Sequence, residues 1–228
     1  MSVAVVLVAG GQGTRLGASQ PKAFVDLAGM PLLEHALRRA FAAPEVRHLV
    51  VVAPASHLGE AGAIASRAVR PDDVDVVAGG AERTDSVAAG MSALRADDGI
   101  VLVHDAARAL APPSLFSRLV REVRNGHPAV VPGMLVNDTI KQVDATGRVV
   151  ATPDRAALRA IQTPQAFLRE VLEHAHTKAA GSHATDDAAL VERVGGHVRV
   201  VAGDPMAFKI TTADDLAAAE RHLAGANS

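Results

Sequence analysis

The chain has no cysteine, no tryptophan and no tyrosine, and its aromatic residues are 5 phenylalanines among 228 residues. Without cysteine there is no disulfide scaffold, no thiolate nucleophile and no thiolate metal site. With so few rings, the core has to be built from small and branched aliphatic side chains. These let helices and strands approach closely, which favours layered α/β packing over an open sandwich. Charge of either sign is also not in excess: 23 Lys and Arg against 25 Asp and Glu give a net charge of −2. A broad electrostatic footprint for nucleic acid is therefore missing. No apolar run approaches the roughly 20 residues of a membrane span, so no membrane partner is expected. The apolar start, Val3 to Val8, has no charged segment before it and runs into glycines rather than a cleavage site, so a cytoplasmic protein is expected. The length suits one domain.

Apolar runs of strand length alternate with helical patterns along the chain, the signature of a mostly parallel sheet covered by helices. The strands read as Val3 to Val8, His48 to Ala53, Asp75 to Ala78, Ile100 to His104, Ala129 to Val131 and Val198 to Ala202. Several are near-continuous Val, Leu and Ile, as in strands buried on both faces. Pro31 to Ala43 reads as a helix with Pro at its first position. Pro113 to Arg124 and Thr163 to Ala180 read as helices too. A capping box, Thr212 with Asp215, opens a last helix over Leu216 to Leu223. Thr185-Asp186-Asp187 reads first as the cap of a helix from Ala188 to Val194. One stretch breaks the alternation: Asp138 to Val143 and Arg148 to Thr152 form two polar strand-like pieces around a turn at 144–147. An isolated hairpin is marginal in water, so it packs either on a second subunit or along the edge of its own domain.

The first strand ends in Ala9-Gly10-Gly11-Gln12-Gly13-Thr14-Arg15-Leu16-Gly17, followed by Pro21 and Lys22. Glycines at the carboxyl end of a first parallel strand let backbone N–H groups close on an anion, and phosphate is the expected guest. A P-loop would need Gly-Lys-Ser/Thr, but Gly13 is followed by Thr14-Arg15. A dinucleotide fingerprint would need a small residue where Leu16 stands and an acidic residue where Ala53-Pro54 stands. Arg15, a rigid bidentate donor, and Lys22, a mobile point charge, together suit a phosphoryl centre whose oxygens gain charge as it is attacked. A second apolar strand ends in His104-Asp105-Ala106-Ala107-Arg108. If the two strands are neighbours, Asp105 lies beside the glycine loop and can hold Mg2+, which takes one or two carboxylates plus phosphate oxygens. The alternative is that Asp105 caps the next segment and pairs with Arg108. The 10 histidines give no metal site, since His174 and His176 are two apart on a helix and the rest are scattered.

The stretches Ala9 to Lys22, Gly79 to Val87 (GGAERTDSV), Val103 to Arg108 (VHDAAR), Asp138 to Lys141 (DTIK), Gln162 to Phe167 (QTPQAF), Thr185 to Asp187 (TDD) and Phe208 to Thr212 (FKITT) together resemble the 2-C-methyl-D-erythritol 4-phosphate cytidylyltransferase family. Their order and spacing match over nearly the whole chain. The first motif is shared with many nucleotidyltransferases; the later ones are more specific.

The resemblance implies a single Rossmann-like α/β nucleotidyltransferase domain over residues 1–228, with a protruding β-arm at about 134–157 through which the chain forms a homodimer. It implies transfer of CMP from CTP to methylerythritol phosphate with release of pyrophosphate, a step of the non-mevalonate isoprenoid route, with Mg2+ as cofactor. Arg15 and Lys22 match the family's transition-state stabilisers. Ala9, Gly10, Gly11 and Gly13 match its phosphate loop, and Gly79, Gly80 and Ser86 match the segment that holds cytosine and ribose. Asp105 matches the Mg2+ ligand, with Ala106 and Arg108 beside it. Thr139 and Arg155 on the arm, and Lys209, match positions that bind methylerythritol phosphate, the first two reaching into the neighbouring subunit's site. Three departures stand out: Ala81 where some members carry Asp, Ala109 where Pro is common, and Met206-Ala207 before Phe208-Lys209.

Overall fold

A computed structural model of the chain describes every residue except Gln12, Thr14, Arg15, Ala18, Ser19, Val69, 179–183 and 227–228. Strand β1 (Ser2–Val8) leads through a two-residue ladder, β2 (Asp26–Leu27) with β3 (Met30–Pro31), into helix α1 (Leu32–Phe41). Next come β4 (Val46–Ala53), α2 (Leu58–Ala65), β5 (Val74–Ala78), α3 (Arg83–Ser92), β6 (Asp98–Asp105), α4 (Pro113–Arg124) and β7 (Ala129–Leu135). A hairpin, β8 (Gln142–Val143) with β9 (Val149–Ala151), precedes β10 (Arg159–Ile161) and β11 (Gln165–Leu168). Helix α5 (Arg169–Lys178), α6 (Asp187–Arg193), β12 (Arg199–Ala202) and α7 (Ala213–Ala226) complete the chain.

The main sheet follows the order β10-β7-β11-β6-β1-β4-β5, with β12 pairing β7. The pairs β1–β4, β1–β6, β4–β5 and β7–β12 are parallel; β10 and β11 run antiparallel to their neighbours. The unbroken apolar run of β1 follows from its central place, where both faces are covered. Val3, Val5 and Leu7 point into a core with Leu33 and Leu37 of α1 and Leu115 and Phe116 of α4. Ala4 and Val6 point the other way, toward Val87 and Met91 of α3 and Leu172 of α5. Small residues set the helix-to-sheet distance: a Cβ on Gly90 of α3 would stand 2.5 Å from Val6 Cγ1 and 2.8 Å from Val52 Cγ2. At the amino ends of the strands, the buried His48 ring ties three elements, its nitrogens lying 2.6 Å from Asp98 Oδ2 and 2.8 Å from Asp75 Oδ2.

Two readings from sequence need correction. The segment Thr163 to Ala180 is not one helix: Gln165–Leu168 is a strand on β6, and the helix begins at Arg169. Burial of Phe167 against the sheet overrode a helical pattern that also fitted it, while residue 180 lies outside the described residues. Pro31 is the cap of α1 rather than its first residue, because its extended backbone (ψ 145°) is paired in the β2–β3 ladder. The hairpin forms around its Asp144–Gly147 turn, where Asp144 Oδ1 accepts from the Thr146 and Arg148 N–H groups at 2.9 and 3.1 Å. Residues 138–152 are all exposed, so the hairpin does not lie along its own domain; Ile140, Val143, Val149 and Val150 remain on its surface. Helices α4 and α7 stand as read, the latter with its Thr212–Asp215 capping box.

Removing the His48 ring leaves the Asp98 carboxylate buried without its imidazole partner. His48→Ala is therefore expected to lower stability by about 3 to 5 kcal/mol, read from urea unfolding; a loss below about 1 kcal/mol would show that the bridge behaves as an exposed pair.

Candidate active site

From β1 the chain proceeds to β4 and β5 on one side, whereas β6 lies on the other, so the strand order reverses between β1 and β6. An open α/β sheet offers its ligand crevice beyond the carboxyl ends of the strands at such a reversal. Val8 and Asp105, the last residues of β1 and β6, are paired partners, and the Ala106 N–H donates to the Val8 carbonyl at 3.0 Å. A cavity of about 310 Å³ opens there. Ala9, Gly10, Gly11 and Gly13 line one side of it, and Lys22, Asp105, Ala106 and Lys209 line the others.

The glycine loop folds back on itself to bring Lys22 in. Gly13 has φ +74°, and a Cβ there would stand 3.0 Å from the Gln20 carbonyl oxygen and 3.2 Å from the Lys22 nitrogen. Only glycine fits that return. The Lys22 N–H donates to the Gly11 carbonyl at 2.9 Å, and Pro21 leads the chain into the single turn Lys22–Phe24. Lys22 is 8% exposed, so its ammonium sits in a sheltered wall of the cavity.

Asp105 is the meeting point of charges from three elements. Its Oδ2 accepts from Lys209 Nζ at 2.7 Å and its Oδ1 from Arg83 Nε at 3.3 Å. Burial opposes ionisation of this carboxyl, but the Arg83 and Lys209 charges outweigh it and hold Asp105 well below the usual carboxylate range. The Asp105 N–H donates to Thr163 Oγ1 at 3.0 Å, and the same hydroxyl lies 3.0 Å from His104 Nδ1. Burial pushes His104 down to about 3, so this ring adds no charge beneath the cleft near neutral pH.

The opposite wall is the start of α3. Glu82 caps the helix in a box with Asp85, and Gly80, Glu82, Arg83 and Ser86 face the cavity. A helix N-terminus favours an anion in front of it. The two glycines before it are fitted to the helix: a Cβ on Gly79 would stand 2.7 Å from Ser86 Oγ and one on Gly80 2.3 Å from Asp85 Cβ. Burial would weaken the Arg83 guanidinium, but Asp187 and Asp105 outweigh it and raise its pKa above the ordinary value.

Of the residues singled out from sequence, Ala9, Gly10, Gly11, Gly13, Lys22, Gly80, Ser86, Asp105, Ala106 and Lys209 line this one cavity. Gly79 is not in its lining and packs against Ser86 and Val52. The Arg108 guanidinium makes no direct ion pair with Asp105, donating instead to the Ala207 carbonyl at 2.7 Å and the Ile161 carbonyl at 3.4 Å, but its N–H donates to the Asp105 carbonyl at 2.9 Å and its charge favours the ionised carboxyl. Thr139 and Arg155 lie on the exposed arm, where Arg155 donates to the Asn137 carbonyl. Arg15 lies outside the described residues. Arg83, which also lines the cavity, is not picked out by the sequence, where GGAERTDSV points only to its glycines and serine and nothing local separates Arg83 from a surface cation. No cluster of three His, Asp or Glu that could hold a metal occurs among the described residues. A single cleft carboxylate nevertheless fits Mg2+, which completes its shell with phosphate oxygens and water. No helix among the described residues is long and apolar enough to cross a membrane.

Residues 3–224 match the family model for 2-C-methyl-D-erythritol 4-phosphate cytidylyltransferase. A curated protein of that name from Nocardia farcinica (strain IFM 10152) is 52% identical, the match covering 97% of this chain and 94% of the relative. The crystal structure of a 4-diphosphocytidyl-2C-methyl-D-erythritol synthase from Anaerococcus prevotii DSM 20548 superposes with a TM-score of 0.85 at 27% identity, covering 98% of both chains. That of a 2-C-methyl-D-erythritol 4-phosphate cytidylyltransferase from Thermus thermophilus gives 0.76 at 34% identity, covering 97% of this chain and 98% of the other.

Because Asp105 ionises at lower pH in the folded than in the unfolded chain, it stabilises the fold above the ordinary carboxylate value and loses that effect as pH falls. Between about pH 5 and pH 2, the parent's urea midpoint is therefore expected to drop more steeply than that of Asp105→Asn. Parallel declines would mean that Asp105 is not ionised in the native cleft.

Proposed function

The chain belongs to the 2-C-methyl-D-erythritol 4-phosphate cytidylyltransferase family, and we propose how its own residues carry out that family's reaction. It transfers CMP from CTP to 2-C-methyl-D-erythritol 4-phosphate, giving 4-diphosphocytidyl-2-C-methyl-D-erythritol and pyrophosphate in non-mevalonate isoprenoid precursor synthesis. An oxygen of the acceptor's phosphate forms the new bond to the α-phosphorus of CTP. The bond from that phosphorus to the β-phosphate bridge breaks, and its electron pair leaves with pyrophosphate. The attacking phosphate is already anionic, so no general base is required; positioning and charge stabilisation carry the catalysis.

The observation that carries this reading is the convergence of the glycine loop, Lys22, Asp105 and Lys209 on one cavity. The loop amides of Ala9, Gly10, Gly11 and Gly13 cradle the β- and γ-phosphates, while Lys22 and Arg15 neutralise charge developing on the α-phosphoryl oxygens. The turn at Gly79-Gly80 and Ser86 hold the nucleoside at the start of α3. Asp105 would hold Mg2+, which when bound screens the triphosphate's charge and favours pyrophosphate as a leaving group. Lys209 releases Asp105 to receive the phosphate of the acceptor. Ala106 supports the nucleotide from the end of β6, and Arg108 acts by tying down the segment before Lys209.

Thr139 and Arg155 are set on an exposed arm and are absent from the wall of their own chain's cavity. Together with the exposed Ile140, Val143, Val149 and Val150, this supports a homodimer in which each arm completes the acceptor site of its partner. The charged, water-soluble substrates fit a cytoplasmic setting.

Pyrophosphate release is expected with CTP, Mg2+ and methylerythritol phosphate together, and not when ATP, GTP or UTP replaces CTP; comparable release with another nucleotide would contradict the assigned base pocket. Lys22→Ala is expected to lower kcat by about 100-fold or more, and turnover at the parent rate would remove its role. Mixing inactive Lys22→Ala with inactive Arg155→Ala protein is expected to restore activity through mixed dimers, whereas no recovery would place the arm in its own chain's site.

A further inference from the structure

We propose that Asp187 is a positioning residue for the transfer: it shares the Arg83 guanidinium with Asp105, and so keeps the Asp105 carboxylate open to a divalent cation. The inference rests on the reading of Asp105 as the residue that holds Mg2+. Asp187 is 1% exposed, yet it is not needed to start α6. Its neighbour Asp186 does that, accepting from the Ala189 N–H at 2.9 Å and from Gln165 Nε2 at 2.8 Å. The Asp187 carboxylate is engaged by two side chains instead: Oδ2 accepts from Arg83 Nη1 at 2.7 Å, and Oδ1 lies 3.1 Å from Nε2 of His176 on α5.

Arg83 thus stands between two carboxylates and is held more closely by the one behind it, since its contact to Asp105 through Nε is 3.3 Å. Its remaining nitrogen, Nη2, is buried and finds no hydrogen-bond partner among the described residues. A guanidinium so placed is fixed by Asp187 and leans lightly on Asp105. If Asp187 were neutral, the whole attraction of Arg83 would fall on Asp105, in direct competition with a cation arriving at the same oxygens. Groups that orient a metal-holding side chain from behind commonly matter to affinity by one to two orders of magnitude. Asp187 does not line the cavity, and its link to Asp105 runs through Arg83.

The test is Mn2+ binding to the full-length protein, with a non-hydrolysable CTP analogue present, followed by the electron paramagnetic resonance of free Mn2+. Asp187→Asn is expected to weaken Mn2+ binding about tenfold, with kcat largely recovered at saturating Mg2+ and the KM for CTP raised at limiting Mg2+. In an Arg83→Gln background the same substitution should change nothing further, because the guanidinium through which it acts is gone. Parent-like Mn2+ affinity in folded Asp187→Asn, or an equal loss with and without Arg83, would overturn the proposal. Asp187→Glu against Asp187→Gln gives a second comparison that differs only in charge. The Glu form is expected to bind Mn2+ more tightly, and equal affinities would again overturn it. Asp105→Asn separates the two layers: if it binds Mn2+ like the parent, the assignment of Asp105 fails and this inference with it. If it binds weakly while Asp187→Asn does not, only the role of Asp187 fails.

Discussion

A carboxylate at the carboxyl end of β6, almost closed off from water and faced by two cations, organises the functional half of this molecule. Asp105 could not stay ionised there alone, because burying an unpaired charge is costly. Its partners come from distant parts of the chain: Arg83 from the start of α3 and Lys209 from the segment before α7. The same pairings that keep Asp105 ionised bring two positive side chains to the mouth of the cleft. In the proposed reaction an anionic substrate would take over Lys209 while a cation takes its place on Asp105.

The fold's less conspicuous polar residues serve that arrangement. Gln162 clamps the backbone of Asp204, accepting from its N–H at 3.0 Å and donating to its carbonyl at 2.9 Å. Gln165 donates to Asp186 and accepts from the Ala188 N–H. Thr163 between them holds the Asp105 backbone. One short stretch around β11 therefore fixes the segment that leads to Lys209, the helix that carries Asp187 and the strand end that carries Asp105. Buried polar side chains bonded to specific backbone groups specify one arrangement of a region, which an apolar core of alanine and valine could not do alone.

Much of this was legible in the chain, for identifiable reasons. The central strand announced itself because a strand covered on both faces must be apolar throughout, and Val3 to Leu7 are. The glycine loop and Lys22 could be read because backbone amides that close on an anion need residues without a Cβ, and a charged phosphoryl centre needs a cation nearby. The arm could be read because its alternation is too polar for a buried strand. What could not be read depended on contacts distant in sequence. Gln165–Leu168 looks helical until β6 is there to pair with it. Arg83 looks like one more surface cation until Asp105 and Asp187 close on either side. Asp187 looks like part of a helix cap until Asp186 is seen to provide the cap.

The most direct test of the central claim is a crystal structure of the protein with Mg2+ and a non-hydrolysable CTP analogue. The account predicts phosphates seated over Gly10 to Gly13 within hydrogen-bond reach of Lys22, an ion on Asp105, and Lys209 withdrawn from that carboxylate. A triphosphate bound elsewhere, or one bound here with Asp105 still closed on both Arg83 and Lys209 and no ion between, would contradict it.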